Sequence, residues 1–168
     1  MAEKSGFFNS SGGDRVYDAT DFAAYFGDLV SNGIFMKTTT NLATTASGGM
    51  NVLVQPGTAW INGYHYQNTA PLELVVSTAN GVNPRIDRVV LRWDNVGRSV
   101  NLAIKTGVPL GVPVPPDLTR TADVWELGLA DILVARGVVS IGAEAVTDTR
   151  LNTALCGLVN SLVLAVYE

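Results

Sequence analysis

GTAWINGYHYQN (Gly57–Asn68) and RIDRVVLRWDNVGRSVNLAIKT (Arg85–Thr106) are the two stretches whose reading decides the fold. Each reads as a β-hairpin with a register that follows from the letters. In the first, Asn62-Gly63 is the dipeptide that tolerates positive φ at both centres of a type I′ turn. Ile61 then faces Tyr64, Trp60 faces His65 and Ala59 faces Tyr66. In the second, a turn over Asn95–Arg98 sets Trp93 against Val100, Leu91 against Leu102 and Val89 against Ile104. These six side chains share one face, and Arg88, Arg92, Asn101 and Lys105 share the other. A slip of one residue would exchange the faces and bury the charges, so the pattern holds its own register. A layer with one apolar face needs a second layer to cover it.

Composition agrees with such a layer. The chain has 168 residues, 47% apolar and 15% charged, with 17 glycines and 7 prolines. That suits one mainly β domain, and a chain of this size buries about 70% of its unfolded surface. The net charge is −4 and the basic residues are scattered from Lys4 to Arg150. No basic stripe faces a phosphate backbone, so nucleic acid is not an expected partner. The amino terminus MAEKSGFFNSSGGD lacks the apolar core of a signal peptide. The run Leu162–Val166 is too short to span a bilayer, and membrane insertion is not expected. A single cysteine, Cys156, excludes an internal disulfide. The expectation is a soluble protein made in a cytoplasm.

Outward from the hairpins, a helix is expected over about residues 20–32. Thr20 would cap it, Asp21 sits in its first turn and Asn32-Gly33 would stop it. Phe22, Tyr25, Phe26, Leu29 and Val30 fall on one face, making the helix a lid for part of the sheet. Asn41–Gly49 reads as a polar connector. Met50, Val52 and Val54 alternate into a strand, as do Leu72, Leu74 and Val76. VPLGVPVPPDLTR (Val108–Arg120) carries four prolines and reads as an extended arm crossing one end or edge of the sheet. VWELGLADILVA (Val124–Ala135) is apolar enough for either a buried strand or a helix, and Gly128 with the alternation of Trp125, Leu127 and Leu129 favours strand; Val138–Ile141 reads as another strand. Leu151, Leu155, Leu158, Leu162 and Ala165 are spaced 4, 3, 4, 3, which predicts a C-terminal helix over 151–168.

Candidate chemistry is sparse. His65 is the only imidazole and faces an indole across the hairpin, a packing position rather than that of a base. No second ligand lies near it in sequence, so no metal site is expected. Cys156 falls on the apolar face of the last helix as a small core residue. No nucleophile elbow or P-loop occurs. Asp87 alternates onto the face of Leu91 and Trp93, and its expected fate is an ion pair with Arg85, Arg150 or another arginine at the end of the sheet. No catalytic residue and no cofactor are expected, so the chain is not read as an enzyme. Among the aromatics Trp60, Tyr64, Tyr66, Trp93 and Trp125, Tyr64 lies beside the turn and is the candidate saccharide contact.

Four segments taken in order carry a resemblance: FFNSSGGDRVYDATDFAAYFGDLVSNGIF, MNVLVQPGTAWINGYHYQN, NPRIDRVVLRWD and VTDTRLNTALCGLV. Together, from about Phe7 to Val159, they resemble tail proteins of phages and prophages of Gram-positive bacteria. The set is similar to the amino-terminal domain of the baseplate upper protein and related tail-fibre or receptor-binding proteins. The resemblance implies an antiparallel β-sandwich attachment domain over 1–150 that anchors a fibre to the tail tip or baseplate. It implies other baseplate or tail proteins as partners, a location in the virion after synthesis in the host cytoplasm, and a homotrimer. Leu151, Leu155, Leu158 and Leu162 would be the oligomer interface, where the helix over 151–168 starts a stalk. Relatives often continue into a stalk and head, and a host surface saccharide would be met through such a continuation beyond Glu168. The alternative is a carbohydrate-binding domain for cell-wall saccharide, with Tyr64 as a contact. A hydrolase of surface polymer would need a paired acid/base constellation, and none can be placed.

Overall fold

The structure is a computed structural model that describes residues 3 and 5–163. Its elements run α1 (Ala19–Leu29), β1 (Gly33–Ile34), β2 (Thr44–Gly48), β3 (Asn51–Val54), β4 (Gly57–Ile61), β5 (Tyr64–Asn68) and β6 (Leu72–Val75). They continue through β7 (Arg85–Asp94), β8 (Ser99–Lys105), β9 (Val124–Val134), a 3₁₀ turn at Ala143–Ala145 and β10 (Val146–Asp148). The strands form three antiparallel sheets, ordered β1-β4-β5, β10-β9-β7-β8 and β2-β3-β6. The chain is therefore mainly β and antiparallel.

Both hairpins take the register that alternation dictates. Ile61 pairs Tyr64, Trp60 pairs His65 and Ala59 pairs Tyr66, with Asn62 and Gly63 at φ 49° and 80°. Trp93 pairs Val100, Leu91 pairs Leu102 and Val89 pairs Ile104. Those six side chains enter one core that also takes Val52 and Val54 of β3, Ala59 and Ile61 of β4, and Leu127, Leu129 and Ile132 of β9. One buried cluster thus unites all three sheets, which is why none of them needs to be stable alone.

The charged face of β7–β8 is partly covered by the proline-rich segment: Arg88 is buried beneath it, while Arg92 and Asn101 keep contact with water. Arg88 donates to Pro116 O at 2.8 Å, the Glu126 amide of β9 donates to Thr119 O at 3.0 Å, and the Thr119 amide donates to the Glu126 carboxylate at 2.6 Å. The arm thus starts at the end of β7, where the Leu110 amide donates to Pro84 O at 3.0 Å, and goes on to cover part of this face. Its prolines leave carbonyls free to accept from that face while supplying no N–H groups that would compete.

Several expectations are corrected. α1 is capped by Asp18, not Thr20: the Asp18 carboxylate accepts from the Thr20 and Asp21 amides, and Asp21 reaches back to the Asp18 amide. This is a capping box, in which two acids satisfy orphan donors reciprocally. The helix ends at Leu29, short of Asn32-Gly33. It covers little of the sheet. Only Ala23 is buried, and its backbone rests on the Asn62-Gly63 turn. The polar connector contains β2, an edge strand whose mostly exposed Thr/Ala/Ser residues give no hydrophobic alternation. Val138–Ile141 is no strand: Val139 is exposed, Ile141 is buried, and the pairing falls to β10 further on.

The largest correction is at the C-terminus. No helix forms over 151–163, and 164–168 lie outside the described residues. Asn152 closes a turn by accepting from the Leu155 and Cys156 amides, and Gly157 at φ 82° redirects the chain. From there it runs beside residues 29–34, with Ile34 N–H to Gly157 O at 3.0 Å and Val159 N–H to Ile34 O at 3.1 Å. Ser31 N–H to Asn160 O and Leu162 N–H to Leu29 O, both 2.9 Å, continue the pairing. Asn152, Gly157 and Asn160 are poor helix interior residues, and the exposed backbone of β1 offers this segment partners outside itself.

Candidate functional site

Tyr64 and Trp93 are brought together by the two hairpin registers. Each stands at the turn end of its hairpin, and their rings meet at 5.8 Å. They form part of the floor of a cleft of about 700 Å³. One wall is the run Tyr64–Gln67 of β5, the other is Trp93–Asn95 with Arg98–Val100, and Ala19 and Thr20 of α1 close one end. A cleft of this size lies within the range of small-molecule sites. Tyr64 and Tyr66 are half-buried, and burial raises the Tyr66 phenol above its ordinary pKa, which keeps it a neutral hydrogen-bonding group at pH 7.

The polar groups at the rim differ in how occupied they are. Asp94 accepts from the Gly97 amide at 2.7 Å and holds the β7–β8 turn. Arg98, at φ 49° in that turn, is exposed and has no carboxylate partner among the described residues. Sequence reasoning found Tyr64 but missed Arg98, Asp94 and the end of α1. Arg98 looks like any turn residue until the neighbouring hairpin is placed beside it.

His65 lies on the opposite face of β5, exposed, with its ring 6.0 Å from Trp60 and 6.4 Å from Phe35. Phe26 of α1 meets Trp60 edge-on at 5.5 Å. The imidazole is a packing neighbour of aromatics, as its cross-strand position suggests.

The buried carboxylates are matched to cations. Asp87 is fully buried, and Arg85 clasps it through Nε at 2.9 Å and Nη2 at 3.1 Å. The same Asp87 Oδ1 accepts from the Gly107 amide, and Arg85 also donates to Ser77 O and Thr78 O. Arg88 clasps Asp131 at 2.6 and 2.9 Å. Glu126 receives Arg92, Lys105 and the Thr119 amide at 3.0, 2.8 and 2.6 Å. Burial pushes the Glu126 pKa up, but Lys105 and the Thr119 amide outweigh it, and the net shift is downward. Arg150 pairs with Asp148 rather than with Asp87, which lowers the Asp148 pKa, and its guanidinium also ties Thr39 O and Asn41 O. Cys156 is buried as expected, though not in a helix, and burial pushes its thiol up to about 12.

The four leucines expected at an oligomer seam stand on no helix over the described residues 151–163. Leu151, Leu158 and Leu162 are exposed, whereas Leu155 is half-buried beside Gly128, whose amide donates to Leu155 O. Among the described residues no group of three or more His, Cys, Asp or Glu side chains could hold a metal ion. No described helix is long and apolar enough to cross a membrane. Comparison with known proteins returns no matching family model, no matching curated protein and no matching solved structure.

Proposed function

We propose that this chain is a non-enzymatic structural module of a phage tail or baseplate, anchoring a fibre or receptor-binding protein to the tail tip. The observation that carries the reading is the aromatic surface left open around α1. Phe7, Phe22, Tyr25 and Phe26 are 50, 47, 47 and 40% exposed. Phe7 stacks on Tyr17, touches Phe22 and meets Tyr25 edge-on at 4.9 Å, so the rings form one connected patch. Connected aromatic surface of this kind marks a contact with another macromolecule. A scaffold of antiparallel sheets stacked as a sandwich, with arginines locking its buried acids, suits a part that transmits load and does no chemistry. The ordered resemblance of its segments to tail attachment domains supports the same role and a place in the virion.

A homotrimer belongs to this reading, with exposed Leu151, Leu158 and Leu162 available at the surface in place of a helical seam. The test is to locate the chain by labelled antibody on tail particles from the source, and to weigh the purified protein by light scattering. Labelling at the tail tip and a trimer mass support the role. A particle that lacks the protein would remove it.

The cleft at Tyr64 favours a second reading, a carbohydrate-binding domain for wall saccharide. Glycan-array binding that Tyr64→Ala abolishes would promote it over the first.

A further inference from the structure

We propose that the cleft beside β5 is a docking groove for an extended segment of a neighbouring protein, which adds to β5 as a further strand. The proposal rests on the attachment reading and names how one attachment is made.

Three open sheets have six edge strands: β1, β5, β10, β8, β2 and β6. An open edge presents unpaired backbone groups, and native folds guard it by shortness, bulges, proline, charge or cover. β1 has only two residues and is covered by 157–159. β10 has three residues and ends on Asp148. β2 is broken by a register shift between Ala46 and Gly48. β6 follows Pro71 and carries Glu73. β5, YHYQN, has no proline, no lysine or acid and no bulge. The first residues of β8, Ser99 and Val100, are likewise unguarded. These two exposed edges bound the same cleft.

The geometry of β5 makes the groove directional. The Asn62-Gly63 turn makes Ile61/Tyr64 and then Ala59/Tyr66 the pairs that exchange both backbone bonds. The N–H and C=O groups of His65 and Gln67 therefore point away from β4 toward the groove. On the inner side, Tyr64, Tyr66 and Val100 are only partly buried against the core. An added strand would bond its backbone to His65 and Gln67 and lay every second side chain on these apolar surfaces. At the mouth Arg98 has no carboxylate partner among the described residues, and Asp94 is already engaged with Gly97. The occupant that fits is an extended peptide, apolar at alternate positions, with an acidic residue at the end that passes Arg98.

The full chain is titrated with a capped synthetic peptide of alternating valine and threonine ending in glutamate, followed by amide NMR. Main-chain pairing carries most of the affinity in this mode, so a generic strand serves as probe. Shifts confined to Tyr64–Gln67 and Ser99–Val100 at millimolar peptide are expected, with slowed exchange of the His65 and Gln67 amides. N-methylation of the peptide's bonding edge should weaken binding by at least about tenfold. Arg98→Glu should weaken it severalfold while leaving the spectrum of the core unchanged. The proposal is overturned if those resonances stay put, or if the N-methylated peptide binds equally well. It is also overturned if the same residues shift on self-association, which would make the occupant a second copy, or only with a wall saccharide. This assay uses the isolated chain and the particle assignment uses virions, so the two can fail separately.

Discussion

Asp87 shows how much one residue decides. Its carboxylate sits on the core face of β7, fully buried, where alternation would put an apolar side chain. It is held by both arms of Arg85 and by the Gly107 amide, which together tie β7 to the loop before it and to the start of the arm. Asp87→Ala leaves a buried guanidinium without its counter-charge, and a loss of about 3–5 kcal/mol is expected. Urea denaturation measures it. Arg85→Met with Asp87→Leu should lose less, because it removes both charges, although Ser77 O, Thr78 O and Gly107 N–H lose partners. An ion pair for Asp87 was legible from its place on the apolar face, with Arg85 one of several candidate partners; its grip on Gly107 was not. Glu126 gives the pH dependence. Its folded pKa lies below the unfolded carboxylate value of about 4.3, as does that of Asp148 relative to about 3.9. Their contribution is therefore complete above the unfolded values and is lost as pH falls through the lower folded ones. The urea midpoint should hold from pH 7 to about 5 and drop on further acidification. Glu126→Gln should flatten that drop, and an unchanged acid slope would show that the Lys105–Glu126 pair contributes nothing.

At the scale of elements, α1 depends on a contact that its own sequence does not announce. The helix is well capped by Asp18 and Asp21, yet it is short, and an isolated helix of this length is marginal in water. What holds it is the Asn62-Gly63 turn, pressed so closely on Ala23 that a Cβ at position 63 would strike the Ala23 carbonyl. Asn32 completes the joint by accepting from the Asn62 amide at 2.7 Å and donating to its side chain at 3.0 Å. Gly63→Ala brings both a strained φ of 80° and that collision. The φ term alone costs about 1–2 kcal/mol. The helix should lift, freeing the chain around the already exposed Arg15 so that trypsin cuts there at lower temperature than in the parent, while far-UV strand signal persists. Equal protease resistance would mean that the helix is held elsewhere. Asn-Gly was readable as a turn, but its second task as a helix seat belongs to tertiary structure. The C-terminal segment fails the opposite way. Its leucine spacing imitates a helix face, and the backbone of residues 29–34 outcompetes it.

For the whole molecule, the decisive feature is that three sheets share one core. Leu91 is fully buried in that cluster, between Leu102 on β8 and Leu127 on β9. Leu91→Ala should cost about 2–5 kcal/mol. Because the core is common, the loss should lower a single transition. Trp60, Trp93 and Trp125 report from two sheets, so their fluorescence and the far-UV signal should melt together in parent and variant. Two separated transitions would mean that the sheets fold as independent units. The amino-acid sequence by itself determined the two hairpins, their registers and the place of Asp87 on the core face. Those follow from alternation and turn chemistry over a few neighbouring residues, where local sterics leave one answer. Only the tertiary structure decided which face the proline arm covers, where α1 rests, what becomes of the last leucines and which edges stay open beside Tyr64. Each of those is a competition between partners far apart in the chain, and its outcome depends on distances that no window of sequence contains.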